Sequence, residues 1–282
     1  MSADPLPFVA DLSPNALIAV TGDEAGAFLQ NQFTNDVAAL LPGGAQWNGW
    51  CTAKGRLLAT FPLVNSGSGY FMLLPAPIAE AIVKRLRMFV LRSKLKLEDV
   101  SATTTRFGVY GVSESPAPGA YQLGAERWLV IGQGAPALRQ GTIEDWERSL
   151  IADGIPTVVA ATQEAFVPQM ANFELIGGVS FKKGCYPGQE IVARTHYRGG
   201  LKRRMVRAHG DGTAPSPGES VFSTSFGEQA AGTIVNATLS LAGGFEALVV
   251  AQLDSIAKAD LRLRSLDGPP LYIAPLPYAL PT

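Results

Sequence analysis

FVPQMANFELIGGVSFKKGCYPGQEIVARTHYRGGLKRRMVR, residues 166–207, gathers glycine, basic and aromatic side chains around Cys185. Within it, Tyr186-Pro187-Gly188-Gln189 has the composition of a type II turn: proline presets φ at the second position and glycine takes the positive φ required at the third. Cys185 therefore stands at the entry of a tight turn. Lys182 and Lys183 lie close in sequence, and neighbouring positive charge favours thiolate over thiol, which makes Cys185 a candidate reactive cysteine. The competing reading is a small buried apolar side chain, the commoner fate of a free cysteine. Eight of the 23 Lys and Arg fall between residues 182 and 207, opposed there by Glu190 alone. This segment carries +7 and the remainder −8, although the chain as a whole is at −1. An anionic partner would then meet one basic patch and not a generally basic surface.

On the C-terminal side of this stretch helical periodicity disappears beyond Leu201. Short apolar runs (Val221-Phe222, 231–235, 247–253 and 261–266) alternate with Gly/Pro-rich turns, which predicts a small β-barrel or sandwich. On the N-terminal side the pattern is mixed. Residues 17–20 read as a buried strand, and Thr21-Gly-Asp-Glu24 has the S/T-x-x-E form of a helix start. Residues 57–64 and 70–74, joined through Ser66-Gly-Ser-Gly69, read as a hairpin. Ile78, Ile82, Val83, Leu86 and Phe89 recur at helical spacing, predicting an amphipathic helix over 77–90. Strands are expected at 94–100, 106–111 and 128–131, and a helix at 143–150. Sheets with helices on one face predict α+β.

The 282 residues are 47% hydrophobic and 17% charged, which excludes a disordered chain. Thirty glycines and 20 prolines favour short strands and tight turns over a helical bundle. No Lys or Arg precedes Lys54, so the basic region of a secretory signal and the arginines of a transit peptide are both missing. No apolar run is long enough for a membrane span, and the cytoplasm is the expected location. Two cysteines, Cys51 and Cys185, and two histidines are too few for a self-contained zinc or iron–sulfur site.

Lys183-Gly184-Cys185-Tyr186-Pro187-Gly188-Gln189-Glu190 resembles the K-G-C-Y-x-G-Q-E signature of the YgfZ-type folate-binding proteins, relatives of the glycine-cleavage T-protein (aminomethyltransferase). Phe28-Leu29-Gln30-x-Gln32-x-Thr34-x-Asp36 is similar to that family's first helix, Ala53-Lys54-Gly55 to its next turn, and Pro275-Leu276-Pro277-Tyr278 to its C-terminal end. The resemblance implies a T-protein-like fold: two intertwined α+β parts around a central channel for tetrahydrofolate, followed by a C-terminal β-barrel. The implied division is 1–48 with 145–200 as the folate-binding domain, 49–144 as a second α+β domain, and 201–282 as the barrel. The implied role is that of an accessory protein in synthesis or repair of iron–sulfur clusters in particular enzymes, including those that thiolate tRNA. Cys185 would be the functional thiol, with Lys183 beside it, and no cluster of the protein's own is expected.

Folate combines a flat pterin, an aromatic ring and an anionic glutamate tail. By the same resemblance Trp146 matches a folate-contacting tryptophan, where a π-face would hold a ring; its alternative is a core-filling helix aromatic. Gln169, Asn172 and Glu174 would address the pterin edge, or serve as satisfied loop and cap residues. Arg194, Arg198 and Arg204 would pair with the tail carboxylates, or form a solvated face. Asn15 stands where the family has a stacking aromatic. The T-protein's paired acidic residues have no counterpart in Gly55-Arg-Leu-Leu-Ala-Thr60, and proton transfer in one-carbon chemistry needs such a group. This favours binding without turnover over a folate-dependent aminomethyl or methyl transferase. A third reading, direct RNA binding, rests on the +7 segment and Tyr197.

Overall fold

The computed structural model describes residues 7–281, apart from the side chain of Arg198. The chain forms two compact units, neither of them a continuous stretch. One joins the chain up to Trp50 with Ala59–Trp146 and Gly177–Pro187; the other joins Cys51–Leu58, Glu147–Ile176 and the chain from Gly188 onward.

In order, the elements are β1 (Phe8–Asp11), β2 (Asn15–Thr21), α1 (Ala25–Gln30), β3 (Ala45–Cys51), β4 (Leu57–Asn65), β5 (Tyr70–Pro75), α2 (Ala76–Val90), β6 (Lys96–Asp99), β7 (Arg106–Tyr110), β8 (Tyr121–Gly124), β9 (Arg127–Ile131), β10 (Arg139–Gly141) and α3 (Ile143–Ala152). They are followed by α4 (Gln189–Arg198), β11 (Arg203–Gly210), β12 (Ser220–Ser223), β13 (Gly232–Leu239), β14 (Phe245–Gln252), α5 (Leu253–Lys258), β15 (Leu261–Leu263) and β16 (Tyr272–Ala274). Among the described residues three sheets result, ordered β10-β1-β7-β9-β8, β3-β4-β5-β2-β6 and β15-β12-β13-β14-β11-β16. The mixed α+β class expected from the sequence is what forms.

Local pattern explains most of the first unit. Every residue of β4 is buried, as a near-continuous apolar run in a central strand requires. It pairs antiparallel with β5 across the Ser66–Gly69 turn. The helical repeat of α2 buries Ile78, Ala79, Ile82, Val83 and Leu86 on β2 and β5. The passage from β1 into β2, from one sheet to the next, is clamped by the buried guanidinium of Arg106. Its Nε donates to the carbonyls of Leu12 at 3.2 Å and Asn15 at 2.8 Å, Nη1 to Ser101 at 2.8 Å and Thr104 at 3.0 Å, and Nη2 to Ser13 at 2.7 Å. Arginine's planar fork suits this task because several donors leave one side chain at fixed angles.

Three expectations are corrected. The Thr21–Glu24 pattern is not a capping box: Glu24 is itself the residue before α1 and makes no side-chain cap, because its carboxylate accepts the Lys94 N–H at 2.5 Å. Helix does recur beyond Leu201, in α5; six residues with an exposed Leu253 present no readable periodicity. The C-terminal sheet is not a closed barrel. It curls as a half-barrel around Val206, Ala208, Val221, Ile234, Phe245 and Val249. Among the described residues no ladder joins β15 to β16, and the contact there reduces to a bridge between Arg262 and Pro270. Pro269 and Pro270 supply no N–H for a continuing ladder. The other face of this sheet, through Met205, Leu248 and Val250, packs on Leu57, Ile151, Phe166 and Cys51.

Candidate functional site

The turn expected at 186–189 forms: Gly188 has φ +80° and ψ 4° and leads directly into α4. A Cβ at Gly188 would strike the Thr52 carbonyl oxygen and come within 2.6 Å of the Gly55 backbone. Gly55, at φ +69°, faces it reciprocally, with Gly188 O at 3.2 Å from where a Cβ would stand. Two glycines thus let the Ala53–Gly55 turn and the start of α4 touch backbone to backbone, which explains why both motifs need them.

In the first unit the loop carrying Cys185 is tied down from beneath. Thr34 Oγ1 donates to Gly178 O at 2.6 Å, Asn35 Nδ2 to Gly177 O at 2.7 Å, and Ser180 N to Thr34 O at 2.9 Å. Gln30 Oε1 accepts from Val37 N at 2.7 Å while its Nε2 donates to Asp36 at 3.0 Å. The glutamine, threonine and aspartate of the first-helix pattern therefore build the support of the thiol loop. Lys183 turns inward: Nζ donates to Phe33 O at 2.6 Å and to Gln30 O, under the Tyr186 ring at 5.1 Å. Desolvation lowers its pKa to about 8. Its ammonium is engaged with main-chain carbonyls, so its task is to anchor the loop. Cys185 is a free, exposed thiol; Cys51 is a free, buried one whose pKa is pushed up by desolvation.

This buried amine sets a pH dependence. Its folded-state pKa of about 8 lies below the ordinary 10.5, so between these values the unfolded chain holds the proton more tightly. Stability contributed at Lys183 then rises with pH across that window, by ~3 kcal/mol in total. Urea unfolding of the native protein and of Lys183→Met at about pH 7 and about pH 10 checks this. The difference should move in favour of the native protein at the higher pH; an unchanged difference would refute it.

In the second unit Gln169, Asn172 and Glu174 come together around Arg204. Arg204 Nη1 donates to Glu174 Oε1 at 2.5 Å and Gln169 O at 2.8 Å, with Asn172 Oδ1 at 3.4 Å. Asn172 adopts a left-handed backbone, φ +54°, a region asparagine tolerates, and its Nδ2 donates to Met205 O at 2.8 Å. Gln169 Nε2 donates to Val192 O at 2.6 Å. Burial raises the Glu174 pKa, opposed by the bond from Arg204. Tyr278, in the C-terminal Pro-Leu-Pro-Tyr motif, donates to Gly154 O at 2.7 Å, and its pKa is pushed up to about 12, chiefly by burial. Two acceptors of this cluster, Glu174 Oε2 and Gln169 Oε1, are buried without a partner. Buried polar groups are nearly always satisfied, so a pair left open calls for a donor.

The remaining candidates are placed separately. Trp146 on α3 belongs to the first unit and is 4% exposed. The Arg127 guanidinium lies 4.5 Å over its ring and 4.7 Å over that of Tyr110, and Gly108 packs against it so closely that a Cβ would come within 2.6 Å. Sequence reasoning missed Arg127; an arginine opening a β-strand gives no local sign of being sandwiched between rings. Arg194 is exposed on α4; the Arg198 side chain lies outside the described residues. The +7 segment is less free than its sequence implies, because β11 carries three of its arginines and pairs Arg204 with Glu174 and Arg207 with Glu246, the latter at 2.8 Å. Residues 55–60 bring no carboxylate: Arg56 donates to Ala165 O at 2.7 Å, and Leu57 and Leu58 are buried. Among the described residues no group of three His, Cys, Asp or Glu is placed to hold a metal, and no helix is long and apolar enough to cross a membrane.

Comparison with known proteins bears on the family and the fold. The tRNA-modifying protein YgfZ of Serratia proteamaculans is 30% identical over 299 aligned residues, covering 94% of this chain and 90% of that protein. The protein of the same name from Photobacterium profundum is 30% identical, with 98% and 94% covered. Among solved structures, glycine cleavage system aminomethyltransferase T from Bartonella henselae superposes with a TM-score of 0.70 at 14% identity over 96% of this chain and 86% of that one. That likeness is one of fold. No family model matches the chain.

Proposed function

The chain belongs to the family of the tRNA-modifying protein YgfZ, and from that premise we propose that it binds tetrahydrofolate or a derivative and assists, in the cytoplasm, the synthesis or repair of iron–sulfur clusters in enzymes that include those thiolating tRNA. Its effect on tRNA is then indirect. The observation that carries the ligand is the open pair of buried acceptors, Glu174 Oε2 and Gln169 Oε1. A pterin edge offers adjacent N–H donors, and an ionised carboxylate is the strongest acceptor available for them. Arg204 orients that carboxylate, and Asn172 Oδ1 accepts from the same Arg204 Nη1. Arg194 and Arg198 are the cations offered to the glutamate tail. When bound, folate carries one-carbon units at its ring nitrogens.

Cys185 is the thiol of this proposal: exposed, on an anchored loop, and single, so it acts by redox or transient ligand chemistry on a client's cluster. A transferase is disfavoured because residues 55–60 supply no proton-moving carboxylate. Direct RNA binding is disfavoured because Arg204 and Arg207 are already ion-paired.

Anaerobic calorimetric titration with tetrahydrofolate tests the two halves separately. Glu174→Gln should weaken binding at least tenfold, which is about 1.4 kcal/mol. Cys185→Ser should bind as the native protein does, yet fail to restore tRNA thiolation in cells lacking the protein. Absence of binding by the native protein would remove the folate half, and full restoration by Cys185→Ser would remove the thiol half.

A further inference from the structure

Between residues 84 and 96 the chain places six Lys and Arg and no Asp or Glu. This second basic cluster surrounds the C-terminal end of α2. The helix buries its apolar face from Ile78 to Leu86, yet the apolar side chains that follow are left outside: Met88 is 65% exposed, Phe89 44% and Leu91 88%. Three large apolar side chains exposed within four residues at one helix end make a candidate contact surface.

The backbone holds Leu91 in that position against its preference. Leu91 ends α2 at φ +48° and ψ −105°, in the positive-φ region where helix ends favour glycine. The following loop leaves it no alternative. Lys94 N donates to Glu24 Oε2 at 2.5 Å, Ser93 N to Val90 O at 2.8 Å and Leu95 N to Ser93 O at 2.9 Å. Gly22 packs so tightly against this loop that a Cβ there would strike Lys94 O and come within 2.8 Å of Leu95 Cα. A strained, over-determined residue with an exposed apolar side chain contributes nothing to the core, which points to function.

The charge around it specifies the occupant. Lys84, Arg87, Arg92 and Lys94, which flank the three apolar side chains in sequence, are exposed, and Glu24 lines a recess with Leu91, Arg92 and Ser93. Three large apolar groups offer nothing to a phosphate backbone, and Phe89 meets Trp50 edge to face at 89°, so it is not laid open as a base-stacking platform. A bilayer would gain little, since the main apolar face of α2 is turned into the protein. Carboxylates flanking apolar side chains match both features at once.

We propose that Met88, Phe89 and Leu91, flanked in sequence by Lys84, Arg87 and Arg92, form the docking surface for an acidic amphipathic segment of a protein partner. The proposal does not depend on the folate reading. The probe is a labelled peptide of about 12 residues with Leu and Phe on one helical face and Glu flanking them, followed by fluorescence anisotropy against the full-length protein. Binding should weaken with salt and fall at least tenfold in Leu91→Asp and in Arg92→Glu. Leu91→Gly separates docking from folding: it suits the positive φ, so its melting temperature should equal or exceed that of the native protein while its affinity falls. The same peptide with Lys in place of Glu should not bind. No binding of the acidic peptide, equal binding of the Lys version, or undiminished affinity in Leu91→Gly overturns the proposal. So does binding at these residues only to phosphatidylglycerol vesicles, to polyuridylate, or to a second copy of the chain in sedimentation.

Discussion

Arg106→Met will lower the unfolding free energy by about 4 kcal/mol, close to the whole stability of a weakly stable domain. The guanidinium donates five hydrogen bonds, all to main-chain carbonyls, at the point where the chain leaves one sheet for the next. A bond to a charged group is worth roughly 1.5–3 kcal/mol, and the five are not additive because they share one donor group. Methionine fills much of the volume but leaves the carbonyls of Leu12, Ser13, Asn15, Ser101 and Thr104 without this donor. Lysine should recover only part of the loss, since an ammonium cannot span the same fan of acceptors. Urea unfolding measures it, and a loss under about 1 kcal/mol would mean that the clamp is dispensable.

Gly188→Ala should cost about 3 kcal/mol or more. Two penalties coincide there: a positive φ that alanine disfavours, and a Cβ directed into the Thr52 carbonyl and the Gly55 backbone. Neither neighbour is a flexible side-chain tip, so one stretch of main chain must shift. Gly184, four residues earlier in the same motif, has no atom within 4 Å of a Cβ, and Gly184→Ala should stay within about 0.5 kcal/mol of the native protein. Thermal melts of the pair decide the matter. Equal behaviour of the two variants would show that the close approach at Gly188 does not constrain the fold.

Local periodicity and turn chemistry made β2, the β4–β5 hairpin, α2 and the Gly188 turn legible, because each depends on residues within a few positions of one another. What escaped depends on distant partners. β11 reads as a solvated basic run because the carboxylates that match Arg204 and Arg207 lie 30 and 39 residues away in sequence. Lys183 reads as a neighbour of Cys185, yet its amine reaches carbonyls about 150 residues back. Glu24 reads as a cap and serves a loop 70 residues on. Within the candidate site, Gln169, Asn172 and Glu174 could be grouped only through the family resemblance, as residues just upstream of the signature; that two of their oxygens stay open could not be read at all. The burial of Trp146 beneath Arg127 was equally invisible, since Arg127 arrives from another strand.

The half-barrel has a further consequence. An open sheet normally offers two rows of unsatisfied peptide groups on which a foreign strand can grow, the usual first step of aggregation. Here the outermost strands are three residues each, β15 and β16, giving frontiers of only about 10 Å. Pro269 and Pro270 precede β16, and Pro275 and Pro277 follow it, so the chain on either side interrupts the run of donors. Leaving the sheet unclosed therefore creates little template for self-propagating assembly.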